Sequence, residues 1–211
     1  MESDLHPTNF PQLSQQLVDA VRFIGERQWC PATGGNFSAR IDEQHCLITQ
    51  SGKFKDQLTL DDLMISTMDN KAVDPALKPS AETGLHTKLY QLNPQIDCVL
   101  HTHSVHSTVL SRACGDKIVI QGYEMQKSLR GNTTHLDSIE VLVFDNDQDI
   151  DALAKRVEAK WHAGEITQPG FLVKGHGLYA WGNSVSEAKR HVEGFEFLFA
   201  CLWQEKLLGK A

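Results

Sequence analysis

The segment Cys98-Val99-Leu100-His101-Thr102-His103-Ser104 carries the densest chemistry in the chain. Residues two apart in a strand face the same side. In an extended segment His101 and His103 therefore project together, close enough to hold one metal ion. Val99 shares their face, while Leu100 and Thr102 take the other. Two ligands are too few, because a catalytic zinc site uses three protein ligands and keeps one position open. His176, in Lys174-Gly175-His176-Gly177, is the best third ligand. The glycines on either side permit unusual backbone angles and close approach. His106 and His86 are weaker: His106 follows a strand end, and His86 lies inside a helical pattern. The simpler alternatives are two hydrogen-bonded histidines and a polar hairpin tip.

Two turns combine glycine, hydroxyls and an amide or amine: Thr33-Gly34-Gly35-Asn36-Phe37-Ser38 and Thr49-Gln50-Ser51-Gly52-Lys53. Backbone N–H groups in such turns form anion-binding concavities. The spacing is not that of a P-loop. Lys78-Pro79-Ser80-Ala81-Glu82 adds a helix N-terminus, which favours anions. Two carboxylates, Glu82 and Glu124, could act as general acid or base beside a metal. For Glu82 the simpler role is a dipole interaction at the helix start. For Glu124, in Gly122-Tyr123-Glu124-Met125-Gln126-Lys127, it is an exposed turn. Their environments are not readable from sequence.

The order GGN, SG, SxE, HTH and GHG, spread over about residues 13–207, resembles the class II aldolase/adducin family. The stretches ATGGNFSARI, KPSAETGLH, VLHTHS, GYEMQKSL and GFLVKGHGLYAWG carry the likeness. The resemblance implies a three-layer α/β/α sandwich around a mainly antiparallel sheet. It also implies a homotetramer of fourfold symmetry with sites near subunit interfaces. His101, His103 and His176 would hold one Zn2+ per subunit. Asn36, Ser51, Gly52 and Ser80 would handle the phosphate of a small sugar-phosphate substrate. The acid/base carboxylate of the family's dehydratases falls on Glu124, and the aldolases' catalytic glutamate on Glu82. Aldolases commonly carry two serines before that glutamate; here the second is Ala81, which weakens one phosphate contact. The implied reaction is dehydration of a phosphorylated ketose, with aldol cleavage or 4-epimerisation as the alternative. A non-catalytic interaction module, as in the adducin branch, is disfavoured by the three histidines and Glu124.

The elements that must position these residues follow from periodicity. At 211 residues the chain suits a single domain spanning 1–211. Helical spacing predicts helices over 11–29, 80–92, 104–114, 149–162 and from 184 toward 208. Strands are expected over 36–41, 46–49, 64–68, 97–103, 117–121, 140–144, 170–174 and 177–181. The polar stretch 127–138 reads as a loop. Interleaved helices and strands make a layered α/β class, but periodicity leaves the strand directions open. The net charge of −7 carries no basic stripe, which argues against nucleic acid as a partner. No apolar run approaches the roughly 18 residues of a membrane helix. Residues 1–11 are polar and show no signal peptide, so the cytoplasm is expected. Five cysteines without a CxxC read as reduced, small apolar residues.

Overall fold

In the computed structural model of the chain, residues 5–80 and 82–209 are described. All the expected helices and strands form there, their ends shifted by a few residues. The helices are α1 (Pro11–Glu26), α2 (Thr83–Leu92), α3 (Val105–Ala113), α4 (Ile150–His162) and α5 (Val185–Leu207). The strands are β1 (Asn36–Arg40), β2 (His45–Thr49), β3 (Leu63–Thr67), β4 (Cys98–Thr102), β5 (Lys117–Ile120), β6 (Ile139–Phe144), β7 (Gly170–Val173) and β8 (Gly177–Gly182).

Side-chain oxygens at the helix starts explain where several helices begin. Ser104, Asp149 and Ser184 each accept a backbone N–H from the first turn of α3, α4 and α5. Pro11 opens α1, where its missing N–H costs no helical bond. Glu187 reaches back to the Asn183 N–H, one residue earlier than a full capping box would place it.

The strands form one sheet in the order β3-β2-β1-β4-β8-β7-β6-β5. Every neighbouring pair is antiparallel except β6 and β7. Short turns join β1 to β2 and β7 to β8, as antiparallel neighbours allow. Of the strands that are neighbours both in sequence and in the sheet, β6 and β7 are the pair with an α-helix, α4, between them, which is the crossover that parallel pairing needs.

Alternation along the strands feeds two separate helix layers. On β8, Leu178 and Ala180 pack with Leu17, Val21, Phe195 and Leu198 from α1 and α5. Tyr179 and Trp181 face the other way, toward Leu85 and Leu89 of α2 and Leu153 and Val157 of α4. The architecture is therefore helix, mostly antiparallel sheet, helix. Cys30, Cys46 and Cys98 are buried, Cys114 and Cys201 half-buried, and all five are free thiols. Among the described residues no helix is long and apolar enough to cross a membrane.

Candidate active site

The centre of the sheet brings three imidazoles together. His101 pairs with Tyr179 across β4 and β8. Its ring stacks on the tyrosine with centroids 3.8 Å apart. His103 follows the last residue of β4, and its N–H donates to the Trp29 carbonyl at 2.8 Å. His176 sits in the turn between β7 and β8. That turn is pinned by α3: Thr108 donates to the His176 carbonyl, and Ser111 accepts the Gly175 N–H. A Cβ on Gly177 would overlap the Thr102 carbonyl oxygen, so only glycine lets β8 approach β4 there. Gly35, at φ +76°, similarly brings the 33–35 turn against the His101 carbonyl.

The nitrogen geometry fits a cation. The His103 and His101 Nε2 atoms are 2.8 Å apart, and those of His101 and His176 3.3 Å. The Leu178 carbonyl can only accept, so His101 Nδ1 donates to it at 2.9 Å. A neutral His101 therefore turns an Nε2 lone pair toward the other two rings. Burial, reinforced by the neighbouring imidazoles, holds His101 well below the usual histidine range. Burial likewise lowers His103 to about 4. These rings are neutral near pH 7, and converging lone pairs are the donor set a metal ion needs. His176 Nδ1 is buried with no protein partner, an orphan polar atom beside that cluster.

Glu82 completes the group. Its Oε1 is 2.8 Å from His176 Nε2, and its Oε2 is 3.9 Å from His101 Nε2. One ligand atom from each of Glu82, His101, His103 and His176 lies within 4.8 Å of the others, so the four could hold a metal ion. Glu82 precedes α2 but caps none of its N–H groups. Its carboxylate turns into the sheet instead. Burial pushes its pKa up, but the His176 hydrogen bond and charge, then His103, hold it below the usual carboxylate value.

The other expected residues distribute as follows. Asn36 is buried opposite His101 in the β1–β4 register and donates its amide N–H to Glu82. Ser80 lines a cleft of 510 Å³ with Glu82, His176, Asn146 and Gln148. Ser51 and Gly52 stand on an exposed turn beyond β2, at the end of the sheet where β1 begins. Ala81 lies outside the described residues. Glu124 is not part of the cluster. It opens a 3-10 turn after β5, is 69% exposed, and pairs with Lys127 at 2.5 Å and His135 at 2.9 Å. With β5 four strand positions from β4, the separation across the sheet is about 19 Å at the usual strand spacing.

Lys55 escapes the sequence reading, and His86, named there only as a weaker ligand candidate, takes a different place. Lys53 pairs with Asp62, whereas Lys55 is the buried cation. Lys55 Nζ donates to the Thr33 and Lys53 carbonyls at 2.9 and 2.8 Å, tying the two glycine turns together. No pattern around Phe54-Lys55 marks it. His86 is fully buried and donates to Asn36. Its position four residues after Glu82 would have placed both on one helical face.

The model described as Class II Aldolase and Adducin N-terminal domain matches residues 15–203. Methylthioribulose-1-phosphate dehydratase of Serratia proteamaculans is 58% identical over 198 residues, 93% of this chain and 97% of that protein. The protein of the same name from Yersinia enterocolitica is 58% identical over 193 residues, 91% of each chain. L-fuculose-1-phosphate aldolase from Thermus thermophilus has a similar fold, with a TM-score of 0.76 at 22% identity over 95% of this chain and 97% of that one. A sugar-phosphate aldolase from Thermotoga maritima gives a TM-score of 0.70 at 16% identity, over 96% and 98%. A match across nearly all of its length, on a sheet and helix order shared with these aldolases, makes this chain a member of the class II aldolase and adducin family.

Proposed function

We propose that the chain, folded as one domain, dehydrates 5-methylthioribulose 1-phosphate to 2,3-diketo-5-methylthiopentyl 1-phosphate. This is a step of methionine salvage, and we place it in the cytoplasm. The convergence of three imidazoles and one carboxylate beside an open cleft carries the reading. The relatives' name supplies the substrate.

Three imidazoles with a position left for substrate suit zinc. When bound, the cation would supply Lewis acidity, which acidifies the C3–H of the substrate. His101, His103 and His176 would hold it, one ion per subunit. Asn36, Ser80 and the Ser51-Gly52 turn hold the phosphate and fix the reacting carbons, an orienting contribution. The net reaction removes the C3 proton and the C4 hydroxyl as water, and the enol left behind tautomerises to the diketone. Glu124 takes the C3 proton and delivers it to the departing hydroxyl. General acid catalysis of this kind is worth about 10²–10⁴-fold. Glu82, held against His176, shares the acid–base work. Because Glu124 stands on the far edge of its own sheet, it reaches a metal centre in a neighbouring copy. We therefore place the site at a subunit contact of a homotetramer.

One observation favours a second reading. Glu82, at the position of the aldolases' glutamate, is the carboxylate this chain brings to its own histidines. A sugar-phosphate aldolase or 4-epimerase would use that arrangement. Assay of the purified, metal-analysed protein with 5-methylthioribulose 1-phosphate separates the two. Diketone formation that stops on chelation and returns with zinc is expected. Aldehyde release without diketone would replace the dehydratase with an aldolase. Absence of both metal and turnover would leave an interaction module.

A further inference from the structure

Glu82, His86 and Tyr90 are four residues apart and lie along one face of α2 and its entry. Asn36 and Ser38 share one face of β1. Where these faces meet, a continuous line of side chains runs into the histidine cluster. Tyr90 Oη lies 2.7 Å from Ser38 Oγ, and Ser38 Oγ 2.7 Å from His86 Nδ1. His86 Nε2 meets Asn36 Oδ1, and Asn36 Nδ2 meets Glu82 Oε2. Asn36, Ser38, His86 and Tyr90 are all buried.

The direction of every bond follows from its end. The Glu82 carboxylate only accepts, so Asn36 must present its N–H₂ there. Its Oδ1 then faces His86, whose Nε2 must carry the hydrogen. A neutral imidazole leaves Nδ1 as acceptor, so the Ser38 hydroxyl donates to it and takes the Tyr90 hydroxyl in turn. Burial keeps His86 neutral, its pKa lowered to about 3. Without His86 nothing in this line holds the Asn36 oxygen, and the amide is free to turn its N–H₂ away from Glu82.

We propose that His86 is a positioning residue: it orients the Asn36 amide, and through it holds the Glu82 carboxylate against the three-histidine cluster. The proposal rests on reading that cluster as a metal centre. Its test is a double-mutant cycle on the metal-free protein titrated with Co²⁺, with kcat, KM and melting temperature measured alongside. His86→Phe should weaken Co²⁺ binding about 10-fold, in the range of losses at residues behind a metal ligand. It should lower kcat by a similar factor while KM changes little. His86→Gln, which can accept from Ser38 and donate to Asn36, should recover most of both. In an Asn36→Ala background His86→Phe should cost nothing further, because its lever is already gone. Additive losses for the two substitutions would overturn the proposal, as would a Gln variant as impaired as Phe. If His86→Phe does not fold, Ser38→Ala makes the same test with a smaller loss, again silent in Asn36→Ala. Coupling in Co²⁺ binding without diketone formation would keep the positioning role and sink the dehydratase reading. Diketone formation with additive losses would do the reverse.

Discussion

The centre of the sheet and its β5 edge both carry residues with chemistry, but they are built differently. At the centre His101 is held by strand partners on both sides, by the Leu178 carbonyl and by Tyr179 stacked on its ring. Glu82 is held by Asn36 and His176. At the edge, among the described residues, Glu124 pairs with Lys127 and His135, both more than 40% exposed. Exposed pairs of this kind are screened by solvent and contribute little, too little to fix a carboxylate for catalysis. The difference teaches that one copy of the chain assembles by its own folding the cluster that could hold a metal ion. On the proposed function the acid–base half is completed by contact.

The sharpest attempt to break this contrast is at the centre. His176→Gln leaves the buried strands intact, since the side chain sits in a turn. It removes one of three imidazole donors. Bound zinc, measured by mass spectrometry, should fall well below one per subunit. Activity should fall by at least about 10³-fold, the several kcal/mol a Lewis acid supplies. Stoichiometric zinc and normal turnover in this variant would show that the convergence of nitrogens is not a metal centre.

The edge gives the next largest effect. Glu124→Gln should lower kcat by about 10²–10⁴-fold with zinc content and melting temperature unchanged. Mixing then tests where Glu124 acts. His176→Gln and Glu124→Gln subunits are each inactive alone. Co-assembled at random, about one site in four would pair an intact zinc centre with an intact Glu124 if the two come from different subunits. No recovery on mixing would remove the shared site.

What the sequence made legible follows the same division. His101 and His103 can be paired from their spacing because that geometry is local to one strand. The turn at His176 is legible because flanking glycines signal a special backbone, and Gly175 does sit at φ +65°. Strand direction was not legible, since alternation is the same in either sense; loop length decides it, and only the α4 crossover gives a parallel pair. The environments of Glu82 and Glu124 were not legible either, because burial depends on which elements pack together. His86 was read only as a weaker ligand candidate; its place beside Asn36 could have been found from the Glu82–His86–Tyr90 spacing, a polar line on a helix otherwise facing the core. Lys55 left no such trace, as its carbonyl partners come from two turns that only the fold brings together.

Glu196 sharpens the contrast through stability rather than rate. It lies in α5 beneath the centre, fully enclosed, with Oε1 accepting from Thr102 at 3.0 Å and the Ser104 hydroxyl also acting on the carboxylate. Burial raises its pKa from 4.5 to about 7. The fold thus prefers the protonated form. Its contribution is present below pH 4.5 and is lost as pH rises through 7. A shift of that size is worth about 3 kcal/mol. Glu196→Gln keeps the shape and the Thr102 bond without the charge. Between pH 4.5 and 7.5 the stability of the wild type relative to this variant should fall by about 3 kcal/mol in urea titrations. Parallel curves would mean that the centre accommodates the charge and is less closed than its geometry indicates.

Lys127→Met probes the edge with the smallest expected effect. The Lys127 ammonium donates to Glu124, and that hydrogen bond, ahead of the His135 charge, holds the Glu124 carboxyl below its usual pKa. A general acid working near neutral pH benefits from the opposite shift. Removing the lysine should therefore raise the Glu124 pKa. The limb of the kcat/KM profile that Glu124 governs should move to higher pH. Both side chains are solvated, so melting temperature should not change. Only a modest change in rate at pH 7 is expected. A limb that stays in place would mean that the assembled enzyme separates Lys127 from Glu124, or that Glu124 is not the group titrating. Repeating the profile with Glu124→Gln decides between these. If that variant abolishes the limb, the carboxylate does the titrating and the pair with Lys127 belongs to the isolated edge alone.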